Sequence, residues 1–100
     1  MRFPRAFIGV IGLLSPAAVA AAAPAAAPPG AVACSGCHAA AADVATTVPR
    51  LAGRAPADIV AAMQEFRAGK RPATVMDRIA KGFNDDETNA IAAWLAAQKN

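Results

Sequence analysis

The chain has 100 residues, of which 56% are hydrophobic but only 5% aromatic, and a formal charge of +3 at neutral pH. Arg2 and Arg5 are two of the ten basic residues; without them eight basic residues face seven acidic ones, and the apparent basicity mostly disappears. A nucleic-acid binder needs a concentrated basic face, so this balance excludes that class.

Residues 1–23 have the three parts of a cleavable secretory signal peptide. These are the basic Arg2 and Arg5, an apolar stretch from Ala6 to Leu14, and the small-residue sites Ala18-Val19-Ala20 and Ala21-Ala22-Ala23. The apolar stretch is shorter than the roughly 20 residues of a spanning helix, so no stable membrane insertion is expected after cleavage. The arginines are separated, which argues against a twin-arginine signal, and a bacterial periplasm is the expected destination. Residues 24–30 place Pro24, Pro28 and Pro29 among alanines, a composition that reads as a linker. The folded unit is expected over residues 31–100. About seventy residues can hold one small domain, near the size at which an apolar core alone gives little stability.

Residues 31–42 read as a short helix of good formers, carrying Cys34-Ser35-Gly36-Cys37-His38. Two cysteines three positions apart, followed at once by histidine, form the attachment sequence of c-type haem. On one helical turn both thiols can form thioethers to one porphyrin, and His38 stands where an imidazole nitrogen can reach the iron. A dithiol redox motif would sit beside a strand-helix-strand pattern, which is missing here. A closed zinc site wants four ligands, and the chain has two cysteines and one histidine. A lipoprotein reading of Cys34 is opposed by the prolines between it and the apolar segment.

Residues 43–55 are expected as a loop, since Pro49 cuts short the β-branched run from Val44 and no second strand is available. Residues 56–68 read as a helix, with Pro56 in its first turn, Asp58 near its positive end, Gly69 as its stop, and Ile59, Met63 and Phe66 on one face. Residues 70–75 form a second loop. Residues 76–81 form a brief helix closed by Gly82, with Val75, Ile79 and Phe83 expected to point inward. Asn84 caps the last helix, which runs to about Gln98, and Glu87 completes a capping box. Its apolar stripe is Ile91, Trp94 and Leu95, and its alanines admit a close crossing. The pattern is all-α.

A second axial ligand has to come from Met63, Met76 or a lysine, or the position stays open. Met63 belongs to a regular apolar stripe, where methionine is more often core filler. Met76 follows the 70–75 loop, far enough along the chain to approach a porphyrin from the face opposite His38. Lys70, Arg71, Arg78 and Lys81 gather around it in sequence, opposed only by Asp77, as a candidate docking face.

From His38 onward the chain resembles class I c-type cytochromes. Val48-Pro49-Arg50-Leu51-Ala52-Gly53, Phe66-Arg67-Ala68-Gly69-Lys70-Arg71-Pro72, Met76 and Ile79-Ala80-Lys81-Gly82-Phe83 are similar to haem domains of the flavocytochrome c sulfide dehydrogenase cytochrome subunit and related small periplasmic cytochromes. The resemblance implies a small cytochrome c-like fold of short helices around one covalently attached haem c. It also implies His38 and Met76 as axial iron ligands, the Pro49 carbonyl orienting the histidine, Leu51 packing on the haem, and Arg54 serving a propionate. One attachment motif excludes a two-haem arrangement within the chain. The segment before Cys34 is too short for a long first helix.

The expected role is one-electron transport, as a soluble carrier or as the haem subunit of a sulfide-oxidising flavocytochrome. Expected partners are redox proteins, such as a flavoprotein sulfide dehydrogenase subunit or a terminal oxidase. Catalysis by the chain alone is not expected, because nothing supplies a nucleophile or a second pocket. The alternative is a haem-based sensor or ligand-binding protein with a labile methionine.

Overall fold

The computed structural model describes residue 12, residues 17–19 and residues 26–98. The expected signal peptide therefore lies almost wholly outside the described residues, as do residues 24–25 of the expected linker and the last two residues. Among the described residues the chain is helix and loop without strand: α1 Ala31–Cys34, α2 Pro56–Arg67, α3 Met76–Ala80 and α4 Asp85–Ala97. No described helix is long and apolar enough to cross a membrane.

Helix α4 is the hub, packing against both α2 and α1, while α3 rests on α2. Its start is fixed locally: the Asn84 side chain accepts from the Glu87 amide at 2.8 Å, and the Glu87 carboxylate accepts from the Asn84 amide at 2.9 Å. That reciprocal pair satisfies two of the donors a helix start leaves open. The buried Thr88 hydroxyl adds a bond to the Asn84 carbonyl at 2.8 Å. Ile91, Ala92 and Leu95 then form the core with Ile59 of α2 and Ala31 of α1. Trp94, Phe83, Leu51, Val60, Cys34 and Ala27 pack around that cluster. The small Ala31 and Ala92 are completely buried, which lets even a four-residue α1 reach α4.

The end of α2 shows how glycine ends a helix here. Gly69 adopts φ 68°, and the Lys70 amide turns back to the Glu65 carbonyl at 2.9 Å while the Gly69 amide meets Phe66 at 3.2 Å. This is a Schellman closure, which favours glycine because other residues are strained at that φ.

Three local expectations differ from what is observed. The first helix ends at Cys34 instead of near residue 42, and the chain continues through tighter turns in which Ser35, Gly36 and Cys37 each bond three residues back. Serine and glycine are poor helix formers, and a four-residue nucleus has little cooperativity with which to extend through them. Val75 and Ile79 are 52% and 44% exposed instead of inward, although Phe83 does pack on the core. In so short a helix only one side can be covered; Met76, Asp77 and Ala80 occupy it, and the 75/79 stripe lies beside it. Contacts also reach further back than Ala31: Ala27 packs on the core, and the Ala31 amide bonds the Pro28 carbonyl at 3.1 Å.

Gly30, between them, has φ 87°, and a Cβ there would lie 2.6 Å from the Phe83 ring. Gly30→Ala combines left-handed strain with overpacking and should cost about 2–4 kcal/mol. Asn84→Ala, which removes only a cap, should cost about 1 kcal/mol. Thermal melts of the intact protein check the order; a Gly30→Ala variant melting like wild type would mean that Phe83 does not press on this backbone.

Candidate cofactor-attachment site

The turn after α1 brings the motif together. The His38 amide bonds the Cys34 carbonyl at 2.8 Å, so both cysteines and the histidine lie on one tight turn. Both cysteines are free thiols, Cys34 half-buried and Cys37 exposed. Burial pushes the Cys34 thiol above its ordinary range, partly offset by a backbone hydrogen bond, so it is a neutral thiol at neutral pH. Its Sγ donates to the Gly30 carbonyl at 3.6 Å.

The His38 ring is held by its side chain as well as its backbone. Nδ1 lies 2.5 Å from the Pro49 carbonyl oxygen. A carbonyl can only accept, so Nδ1 carries the proton, and in the neutral ring Nε2 presents its lone pair. Pro49 thus lies where its carbonyl orients the histidine. Three further hydrogen bonds fix the loop on which it sits. Arg50 grips the Ala40 carbonyl through Nη2 at 2.9 Å and Nε at 3.2 Å, and Arg54 donates from Nε to the Arg50 carbonyl at 2.6 Å. Leu51 packs on the core from the same loop. The Gly53 amide bonds the Leu95 carbonyl at 3.1 Å, tying the loop to the end of α4.

A cavity of about 90 Å³ lies between His38, Leu51, Trp94 and Gln98. It has room for a few water molecules and none for a porphyrin. Met76 does not line this cavity; it is half-buried at the first residue of α3, and Met63 is half-buried on α2. The structure therefore brings His38, Pro49, Leu51 and Arg54 into one neighbourhood and places Met76 on a separate element. The Asp77 Oδ1 beside Met76 is buried without a hydrogen-bond partner. Among the described residues no group of three or more His, Cys, Asp or Glu gathers in a way that could hold a metal ion.

The basic cluster is smaller in space than in sequence. Arg71 pairs with Glu65 at 2.7 Å and stacks 5.5 Å from the Phe66 ring centroid, so Asp77 is not its only acidic opponent. Asp85, in the first turn of α4, pairs with Arg67 at 2.6 Å. Sequence reasoning gave Arg50 no structural role of its own. Its partner is a backbone carbonyl ten positions away, and no residue type marks such a partner.

In sequence, the similarity is to c-type cytochromes. The chain is 36% identical over 62 residues to the cytochrome subunit of sulfide dehydrogenase of Chlorobaculum tepidum, a match covering 62% of this chain and 56% of that protein. It is 39% identical over 71 residues to the thiosulfate dehydrogenase electron acceptor of Stutzerimonas stutzeri, covering 69% of this chain and 33% of that protein. The chain thus matches about half of one relative's length and a third of the other's. No family model matches it.

Proposed function

We propose that this chain is a periplasmic electron-transfer protein carrying one covalent haem c, either as a soluble carrier or as the haem subunit of a larger redox complex. The observation that carries the reading is the turn at 34–38: two free thiols and a histidine whose Nδ1 is engaged by Pro49, leaving Nε2 available to a metal. Cytochrome relatives of both kinds, a subunit of one dehydrogenase and the electron acceptor of another, support an electron-carrying role over a catalytic one.

The residues fit the group. A haem is an apolar disc with an anionic edge, and the chain offers both kinds of surface. Val75 and Ile79 expose apolar area on one stripe beside Met76, and among the described residues no large side chain is fully buried in the protein's own core. Cys34 and Cys37 would hold the group by thioethers and His38 by Nε2. Met76 would supply a soft thioether, which favours the reduced metal. Leu51 would pack against the disc, and Arg54 would lie toward a propionate. When bound, haem supplies a one-electron ferric/ferrous couple. His38 and Met76 would together hold the metal so that no substrate enters, and Lys70, Arg78 and Lys81 would be presented to an acidic partner. A flavoprotein sulfide dehydrogenase subunit or a terminal oxidase is such a partner class.

Three measurements check this. Mass spectrometry of exported protein, made with cytochrome maturation machinery, should find one haem on the peptide containing Cys34 and Cys37; a haem-free or lipidated Cys34 would end the reading. The Cys34→Ala, Cys37→Ala double variant should lose most helix content and melt without cooperativity, because the small core closes poorly without the disc. Met76→Ala should abolish the methionine-to-iron charge-transfer band and lower the potential with attachment intact, whereas Met63→Leu should be mild. The reverse result would exchange the two methionines, and rapid carbon monoxide binding by wild type would favour a sensor.

A further inference from the structure

We propose that Arg50 is a positioning residue for His38, setting the imidazole through the Pro49 carbonyl. The inference rests on His38 being an iron ligand. The chain from His38 to Arg50 contains no helix, and two side-chain contacts span it: His38 to Pro49, and Arg50 to Ala40. The two contacts interleave in sequence, 38 with 49 and 40 with 50, so both close the same loop.

The oxygen that His38 meets belongs to the peptide joining Pro49 to Arg50. That peptide is restrained from both ends. On one side the proline ring fixes φ of Pro49, which leaves ψ as the one backbone torsion there that can turn the carbonyl. On the other, Arg50 is anchored through its guanidinium to Ala40 and through its own carbonyl to Arg54 Nε at 2.6 Å. These groups are exposed and water competes for each, so a grip in which Nε and Nη2 converge on one oxygen holds better than a single bond. Lysine, a point donor on a flexible stem, cannot reproduce the fork.

The consequence reaches the metal through the ring. An imidazole that donates firmly from Nδ1 is a more basic ligand at Nε2 and favours the higher oxidation state. Releasing Arg50 lets the Pro49–Arg50 peptide rotate, weakens the Nδ1 donation, raises the midpoint potential and exposes the Nδ1 proton to exchange. Loss of one net hydrogen bond corresponds to an exchange acceleration on the order of fivefold.

The test uses the exported haem-loaded protein, with Arg50→Met, which keeps the apolar stem, and Arg50→Lys. The readouts are the midpoint potential and the exchange rate of the His38 Nδ1 proton, followed by NMR in the reduced state. Expected are a raised potential and faster exchange in Arg50→Met, with partial recovery in Arg50→Lys. A lower melting temperature with unchanged potential and exchange would overturn the proposal and leave Arg50 a purely structural brace. Wild type provides a test without any variant: the Arg50 Nε proton and the His38 Nδ1 proton should exchange through one opening, with the same denaturant dependence. Different dependences would overturn the coupling. Absence of any His38 Nδ1 resonance shifted by a porphyrin ring current in wild type would overturn both the ligand reading and this inference. A normal wild-type resonance insensitive to Arg50 would overturn this inference alone.

Discussion

The hydrogen bond from the His38 ring to the Pro49 carbonyl closes a stretch that secondary structure leaves open. Nothing between the end of α1 and the start of α2, residues 35–55, is helical. Irregular segments longer than about 12–15 residues are uncommon in compact domains, because their backbone groups need partners that no ladder supplies. Here side chains and a helix end supply them. Arg50 serves the Ala40 carbonyl, Arg54 serves Arg50, and the Gly53 amide reaches the Leu95 carbonyl of α4. The last of these uses an acceptor in the final turn of α4, the Leu95 carbonyl, which also accepts from the cap Gln98 amide at 3.1 Å. The open loop and the most regular helix thus complete one another.

The helices themselves contribute modest burial. Among the described residues, three of the six buried hydrophobic ones, Ala31, Ala80 and Ala92, are alanines, each with little apolar area to remove from water. Ile59, Ile91 and Leu95 supply the rest, and the aromatic Phe83 and Trp94 stay at the margin of the cluster. Alanine suits this fold because it lets short elements approach closely, and the same choice leaves the core short of bulk. Gly30 follows the same logic at the backbone level, since the Phe83 ring lies against the position where any Cβ would be.

What could be read from the sequence divides along the distance over which each signal acts. The Asn84–Glu87 box, Pro56 at the start of α2 and Gly69 at its end were legible because each determinant lies within a turn of its effect. The gathering of Cys34, Cys37 and His38 on one turn was legible, but the helical extent was not, because Gly36 and Ser35 outweigh the alanines around them. The inward placement of Val75 and Ile79 failed because periodicity says which residues share a face, and only a neighbour decides which face is covered. The inclusion of Ala27 and Gly30 in the packed unit was hidden for a similar reason: a proline-alanine run looks like a spacer until Phe83 and Ile91 are found beside it. The position of Pro49 beside His38 came from family resemblance, whereas the grip of Arg50 on Ala40 had no antecedent. Every residue carries a carbonyl, so an arginine that selects one leaves no mark in composition or spacing.

The same distinction between linear and spatial order changes the electrostatics near Met76. Gly69 takes the left-handed conformation that ends α2, and the chain reverses so that Arg71 returns over the last turn of the helix it has just left. There it meets Glu65 and the Phe66 ring, so its charge is largely answered before any partner arrives. An exposed pair of this kind adds little stability, but it removes a charge from the long-range field. The positive field around Met76 therefore comes from Lys70, Arg78 and Lys81, which are exposed. Arg71 acts closer in, covering Phe66 and holding the turn that leads to α3, so the glycine that stops one helix also determines which arginine a partner can feel.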